Sequence, residues 1–458
     1  MRYHLISLGC PKNTVDAQGI ARLLEAAGHV PTADAQAADL LIVNTCGFIA
    51  EARDESLAIL RELAATLRPG QRLVAAGCMA QYTPQMLRQA VPELSGLLGT
   101  RRWNEVLALV EKMQTHPGQV SLIGDSLTTL GAAAHGPRTA VQGASAYLKI
   151  AEGCSAPCAF CAIPTIKGPA RSRPVADIVS DARALVDQGA KEIVLIAQDT
   201  TAYGRDRGQN DVLPDLIEAI LEATPELAWL RLMYTYPQHV SPRLIETMAR
   251  HPQVCRYLDM PLQHGHPDVL RRMHRPHDVD RVCRLIEHLR AAMPDIALRT
   301  AFIVGYPGET EAEFEALLDF VAEIAFDHVG AFTYSPEAGT PAAELPGQLP
   351  DEVKVKRYER LMALQQGISL ERNRAQVGRT LDVLLEGSGD GMSVGRSYRD
   401  APEIDGLVIV AGELPVGEMV PVRIEEAMAY DLAGHVVETK TPPDRKRTPR
   451  ARKARRRR

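Results

Sequence analysis

Cys154-Ser-Ala-Pro-Cys158-Ala-Phe-Cys161 is a C-x3-C-x2-C run. Three thiolates this close on one loop can hold three irons of a [4Fe-4S] cluster and leave the fourth iron an open position where a substrate can bind. Structural zinc normally takes four ligands, and no further Cys or His stands at a useful spacing. A thioredoxin-like reading of Cys158-x-x-Cys161 would need a different fold around it. Three more cysteines, Cys10, Cys46 and Cys78, each follow a short apolar run: Tyr3–Leu8, Asp39–Val43 and Arg72–Ala76. Taken singly, each reads as a small core residue. Taken as a set at the ends of successive strands, they can meet on one edge of a sheet. Cys255 and Cys283 have no partner pattern and read as packing residues. His264, His266, His274 and His277 lie near one another without a helix-face metal spacing, and read as loop histidines.

These residues need elements to position them. The three N-terminal runs alternate with helical spacing, as in Ile20, Leu23, Leu24 and Ala27, which predicts a doubly wound parallel α/β domain over residues 1–115. A Gly, Ala, Pro and Ser-rich stretch, 116–144, reads as a linker with one short strand. Over 145–376 six strand candidates follow: Tyr147–Ala151, Glu192–Ala197, Trp229–Tyr234, Tyr257–Pro261, Leu298–Val304 and His328–Thr333. The helix before the last strand is marked by a Thr310/Glu313 capping box and the stripe Phe314, Leu317, Leu318 and Val321. Six β/α units are too few for a closed eight-stranded barrel, so a partial (β/α)6 barrel, open on one side, is expected. After a helix over 351–376, five short β-rich runs between 377 and 439 predict a small five-stranded barrel of the oligonucleotide-binding type. Residues 440–458 carry eleven Lys or Arg and one acid and read as a disordered basic tail.

Composition bounds the rest. The 458 residues are 45% hydrophobic and 24% charged, which excludes a disordered or fibrous chain. No stretch approaches the ~18 apolar residues of a membrane span and no signal segment is seen, so a soluble, cytoplasmic protein with no membrane partner is expected. Eight cysteines are too few for a disulfide scaffold of this length.

A C-x3-C-x2-C run with Phe160 before its last cysteine, in a partial β/α barrel, resembles the radical S-adenosylmethionine (SAM) superfamily. With Cys10, Cys46 and Cys78 ahead of it and a TRAM-like barrel behind, the chain from 1 to about 439 is similar to the methylthiotransferases of that superfamily. Ser7-Leu-Gly-Cys-Pro-Lys-Asn13, Tyr147-Leu-Lys-Ile-Ala-Glu-Gly-Cys154, Ala197-Gln-Asp-Thr-Thr201, Phe332-Thr-Tyr-Ser-Pro336 and Ala401-Pro-Glu-Ile-Asp-Gly406 narrow the resemblance to one branch. That branch places a methylthio group on the β-carbon of an aspartate in ribosomal protein twelve of the small subunit. Two runs depart from the family pattern: Asp16-Ala17-Gln18 stands where Asp-Ser-Glu is usual, and Met273-His-Arg-Pro276 where a Met-Asn-Arg-Arg run is usual.

The resemblance implies two [4Fe-4S] clusters: an auxiliary one on Cys10, Cys46 and Cys78, and one on Cys154, Cys158 and Cys161 that cleaves SAM to a 5′-deoxyadenosyl radical. One SAM gives its methyl group to sulfide at the first, and the radical made at the second takes a β-hydrogen from the aspartate. Both clusters must then face one cavity. Gln198, Asp199 and Arg299 are candidate SAM contacts, with an ion pair inside the barrel as the other reading of Arg299. Gly305-Tyr-Pro-Gly308 reads either as backbone access to the adenosine or as a plain turn. Implied partners are the small-subunit protein or the subunit itself, an electron donor, and ribosomal RNA for the basic tail. A tRNA adenosine methylthiotransferase shares all six cysteines. A metal-stabilised RNA-binding adaptor without catalysis is the alternative of another class. The terminal barrel discriminates: Thr380–Thr439 holds three basic residues against twelve acids, which suits a basic protein better than phosphates.

Overall fold

Short apolar runs become parallel strands where helices can cover both faces of the sheet. The structure, a computed structural model, describes residues 1–116, 118–124 and 138–437. In its first domain β1 (Arg2–Ser7), β2 (Val30–Pro31), β3 (Leu40–Thr45), β4 (Arg72–Gly77), β5 (Gly96–Gly99) and β6 (Val120–Leu122) form one parallel sheet, ordered β2-β1-β3-β4-β5-β6. The apolar runs mark β1, β3 and β4. The other three have two to four residues, too short to show a periodicity. In helix α1 (Pro11–Ala26), Ile20 and Leu24 are buried against the sheet, Leu23 is half-buried and Ala27 caps the end. Strand order reverses between β1 and β3, and Cys10 and Cys46 follow those two strands. Ligand sites of doubly wound sheets form at this place.

The central sheet contains β7 (Thr139–Gln142), β8 (Ser145–Lys149), β11 (Glu192–Ile196), β12 (Trp229–Leu232), β13 (Val254–Asp259), β14 (Ala297–Val304) and β15 (His328–Thr333) in that order, with a small ladder of β9 (Ala151–Glu152) and β10 (Arg171–Ser172) beside it. The last six are parallel, as the open six-unit barrel requires, and β7 adds an antiparallel edge. Strands β6 and β7 both lie in the 116–144 stretch; residues 125–137 of it, like the basic tail, lie outside the described residues. Gln18 of α1 holds β7, donating to the Val141 carbonyl at 3.2 Å and accepting from its N–H at 3.1 Å. A glutamate in that place cannot donate, which gives a physical reason for the Asp16-Ala17-Gln18 departure. The Thr310/Glu313 capping box forms, and Phe320 is buried where Leu318 is only half-buried.

Beyond the Asp351–Arg374 helix, β16 (Thr380–Gly389), β17 (Met392–Ser397), β18 (Val408–Ala411), β19 (Met419–Ala427) and β20 (Leu432–Val436) close a five-stranded barrel. It docks at the amino ends of the central strands by buried charges. Arg396 meets Glu192 at 2.6 Å, Arg231 meets Glu192 at 2.7 Å and Arg399 meets Asp327 at 2.6 Å. The Tyr257 hydroxyl and the Ala401 N–H both donate to Asp405. Burial by itself would raise the Glu192 carboxyl, but Arg396 and Arg231 hold it down at about 2. That stabilisation is complete above 4.5, the ordinary value, and is lost as pH falls from there towards 2; it amounts to about 3 kcal/mol. Glu192→Gln is expected to lower stability at neutral pH and to flatten this part of the acid limb. Urea midpoints measured from pH 7 to pH 2 check it, and coinciding acid limbs would refute it.

Candidate functional site

Three loops at the carboxyl edge of the first sheet interlock through glycine and asparagine. Gly9, with φ +84°, lies so close to Cys46 that a Cβ there would stand 2.7 Å from the Cys46 Cβ. Asn13 donates to the Leu8 carbonyl at 2.9 Å and the Thr45 carbonyl at 3.0 Å, and its Oδ1 faces the Cys78 Sγ at 3.5 Å. One side chain thus ties the loops after β1, β3 and β4 together. Cys10 is exposed, while Cys46 and Cys78 are buried. Burial pushes the Cys78 thiol up to about 12 and raises that of Cys46. Three soft donors without a fourth fit an iron–sulfur cluster with one open iron, whose binding would remove those protons.

The second trio sits on the loop between β9 and β10. Gly153, with φ +71°, has the Pro169 carbonyl where a Cβ would lie, and the Cys154 N–H donates to the Gly168 carbonyl at 3.0 Å. The Ala159 N–H donates to the Met273 carbonyl at 3.0 Å, and His274 Nδ1 meets the Pro157 carbonyl at 3.2 Å. Arg275 places Nη1 3.7 Å from the Cys158 Sγ and its guanidinium 4.1 Å over the Tyr236 ring. Burial raises Cys154, and pushes Cys161 up to about 12. Arg275 is a site residue that motif reading does not single out, although it belongs to the unusual Met273-His-Arg-Pro276 run. His264 is a buried residue, where an exposed loop side chain is the simpler expectation; its Nδ1 accepts from the His266 N–H. Cys255 is buried and Cys283 half-buried, as packing residues are.

The two trios face one junction, between the first domain and the carboxyl ends of the barrel strands. Cys78 packs with Ala162 and Ile166, immediately after Cys161. Arg101 donates to the carbonyls of Pro164, Thr165 and Ile166. Asp16 of α1 takes Lys149 at 2.5 Å and Lys167 at 2.8 Å, and Glu152 meets the same two lysines at 2.9 and 3.2 Å. All four side chains are nearly or fully buried. On the far side Arg53 pairs with Glu337 at 2.5 Å, and the Tyr82 hydroxyl donates to the Ala338 carbonyl. Between these anchors the Lys12 amine lies over the Tyr234 ring. Burial pulls that amine down to about 8, while Cys10 and Asp259 draw it up. Tyr234 carries the amine of Lys12, two residues from Cys10, and Tyr236, two residues on, lies under Arg275, which reaches the Cys158 Sγ, so one short segment runs between the trios.

The SAM candidates divide. Gln198 follows β11 with its Oε1 buried and without a hydrogen-bond partner, an orphaned acceptor suited to an amino group. Asp199 is buried beside it, accepting from Thr201 and the Ala202 N–H and meeting His239 at 3.1 Å. Arg299, by contrast, is held by Asp259 at 2.9 Å and by Asp405 at 3.3 Å, an ion pair inside the barrel. Gly305 and Gly308 take positive φ, and a Cβ on Gly305 would strike Lys354, so a packed turn accounts for that run.

The chain is similar to known proteins in each of its three parts. Residues 148–321 match the radical SAM superfamily, 2–99 match uncharacterized protein family UPF0004, and 377–437 match the TRAM domain. The chain is 52% identical to the ribosomal protein uS12 methylthiotransferase RimO of Roseiflexus sp. (strain RS-1), covering 96% of this chain and 98% of that one. Its identity to the RimO of Chloroflexus aurantiacus is also 52%, over 95% of this chain and 100% of the other. Among solved structures, the radical SAM methyltransferase TsrM from Kitasatospora setae shares the fold, with TM-score 0.53, 14% identity, and coverage of 86% of this chain and 77% of that one. No helix among the described residues is long and apolar enough to cross a membrane. Radical SAM membership brings with it a [4Fe-4S] cluster and SAM, and sets aside a non-catalytic adaptor. With a matching superfamily barrel, a TRAM domain and full-length relatives of one kind, the chain belongs to the RimO methylthiotransferase family.

Proposed function

We propose that the protein methylthiolates the β-carbon of an aspartate in small-subunit ribosomal protein uS12, using two [4Fe-4S] clusters: one on Cys10, Cys46 and Cys78, the other on Cys154, Cys158 and Cys161. The observation that carries this is the meeting of both trios at one junction, with Cys78 packed against the residue after Cys161. When bound, the clusters and SAM supply one-electron chemistry, which an unactivated sp3 carbon needs because it is neither acidic nor electrophilic. The chain's own part is placement. Asn13 and the glycines fix the first trio, Gly153 and the Met273–Arg275 segment fix the second, and the Asp16 ion cluster locks one to the other. Gln198 and Asp199 are positioned to take the polar groups of SAM.

A protein substrate is favoured by the TRAM surface. Arg396 and Arg399 are buried in the central barrel, so Arg423 is the exposed arginine of the described barrel, against eight exposed carboxylates. Such a surface repels phosphates and attracts a basic protein. Mass spectrometry of ribosomal proteins and tRNA from cells lacking this gene tests the proposal. The expected result is loss of the methylthio mass increment from uS12 with tRNA unchanged; loss from tRNA alone would overturn it.

A further inference from the structure

Among the charged groups at the junction, Lys12 stands apart. Lys149 and Lys167 share Asp16 and Glu152, and Arg299 holds Asp259 and Asp405. Lys12 too is largely buried, 8% exposed, yet among the described residues it makes no hydrogen bond and no ion pair. Its amine rests 2.9 Å from the centre of the Tyr234 ring, and Tyr234 takes φ +60°, a conformation unfavourable for a tyrosine, in presenting that ring. A cation–π contact offsets only part of the cost of desolvating an ammonium. Asp259, the carboxylate whose charge acts on Lys12, is already engaged: one oxygen accepts from Arg299 at 2.9 Å and the other from the Tyr234 N–H at 2.9 Å. A buried lysine amine on the segment that links the two trios, lacking an anion, is suited to an anion that arrives with the substrate.

We propose that Lys12 receives the side-chain carboxylate of the substrate aspartate and so presents its β-carbon, one bond away, between the two cysteine trios. This inference rests on the uS12 reading above. It assigns substrate selection at the reacting residue to the first domain: an asparagine or a nucleobase entering the junction would leave the ammonium unpaired, and a site built for a charged partner rejects an uncharged one. SAM also carries a carboxylate, so the test separates the two sources.

The holoenzyme with its clusters reconstituted, as wild type, Lys12→Met and Lys12→Arg, is titrated with purified uS12 and with uS12 whose target aspartate is replaced by asparagine, followed by fluorescence anisotropy. SAM binding is measured by equilibrium dialysis, and iron is counted in each preparation. Lys12→Met is expected to bind aspartate-bearing uS12 about 30-fold more weakly, the scale for truncating one partner of a buried charge pair. It should bind the asparagine form as wild type does, keep full iron and SAM affinity, and be largely rescued in Lys12→Arg. Equal weakening towards both forms of uS12 would make Lys12 a packing residue and overturn the proposal. A selective loss of SAM affinity would assign it to the SAM carboxylate, and loss of iron to the cluster; either overturns it too. If wild type neither binds nor modifies uS12, the substrate reading itself fails. If wild type does both and Lys12→Met is indifferent, only the assignment of Lys12 fails.

Discussion

Replacing Cys10, Cys46 and Cys78 together by alanine is expected to halve the iron of the anaerobically purified protein, from about eight to about four atoms per chain, and to abolish methylthiolation while SAM cleavage persists. The two outcomes separate because the loops are built independently. The Cys154–Cys161 loop hangs from Gly168, Met273 and His274, all within the central domain, and none of these bonds involves the first trio. Alanine at 78 keeps a small apolar group against Ala162 and Ile166, so the domains stay docked. On the proposed assignment, what disappears is the sulfur donor beside a short-lived radical. Effective molarities of positioned partners are of order 10⁵ M or more, so product is expected to fall at least ~1000-fold. Iron assay, chromatography of 5′-deoxyadenosine and mass spectrometry of uS12 check the three parts. Product at the wild-type level, or iron unchanged near eight, would refute the assignment of the first trio. Cys158→Ala is expected to do the reverse and eliminate deoxyadenosine itself.

Asp16→Ala is the second large effect. It leaves Lys149 and Lys167 facing each other with Glu152 as their remaining shared carboxylate, in an interface where these side chains are almost fully buried. Breaking a buried ion network by removing one partner costs about 3–5 kcal/mol, since the charges left behind stay desolvated. Asp16 is the first domain's carboxylate in this network, so the loss falls on the hold between the two trios. We expect a lower unfolding midpoint and a drop in methylthiolation per SAM cleaved, because the radical is still made but the donor is no longer fixed near it. The ratio of deoxyadenosine to modified uS12 reports this directly. Stability loss without a change in that ratio would show that the cluster braces the fold and does not set the spacing of the sites.

Much of this architecture is legible in the sequence because its strong signals are local. The C-x3-C-x2-C run, the apolar runs ending in Cys10, Cys46 and Cys78, and the Thr310/Glu313 cap each depend on neighbours a few residues away. Strands of two to four residues, such as β2 and β6, leave no period to detect. The site residues that motif reading misses depend on partners far along the chain. Asp16 is 133 residues from Lys149 and 151 from Lys167, and Arg275 is 117 residues from Cys158. A signal for the inner face of the barrel is nonetheless present: Glu192 and Arg231 are lone charges inside otherwise apolar strand runs, a pattern that calls for buried partners. Only the fold shows that these two pair with each other and with the terminal module, and that Arg299 answers to Asp405 there.

Arg396, Arg399 and Asp405 therefore do for the central barrel what a plug of its own side chains would do. The module that carries the acidic outer surface also completes the lining of the catalytic domain. Detaching it would take Arg396 from Glu192, the Ser397 and Tyr398 carbonyls from Arg231, and Arg399 from Asp327. Exchanging it for a different module would demand matching changes in β11, β12 and the turn before β15, so in this chain the acidic outer surface and the integrity of the radical-forming domain cannot be altered separately.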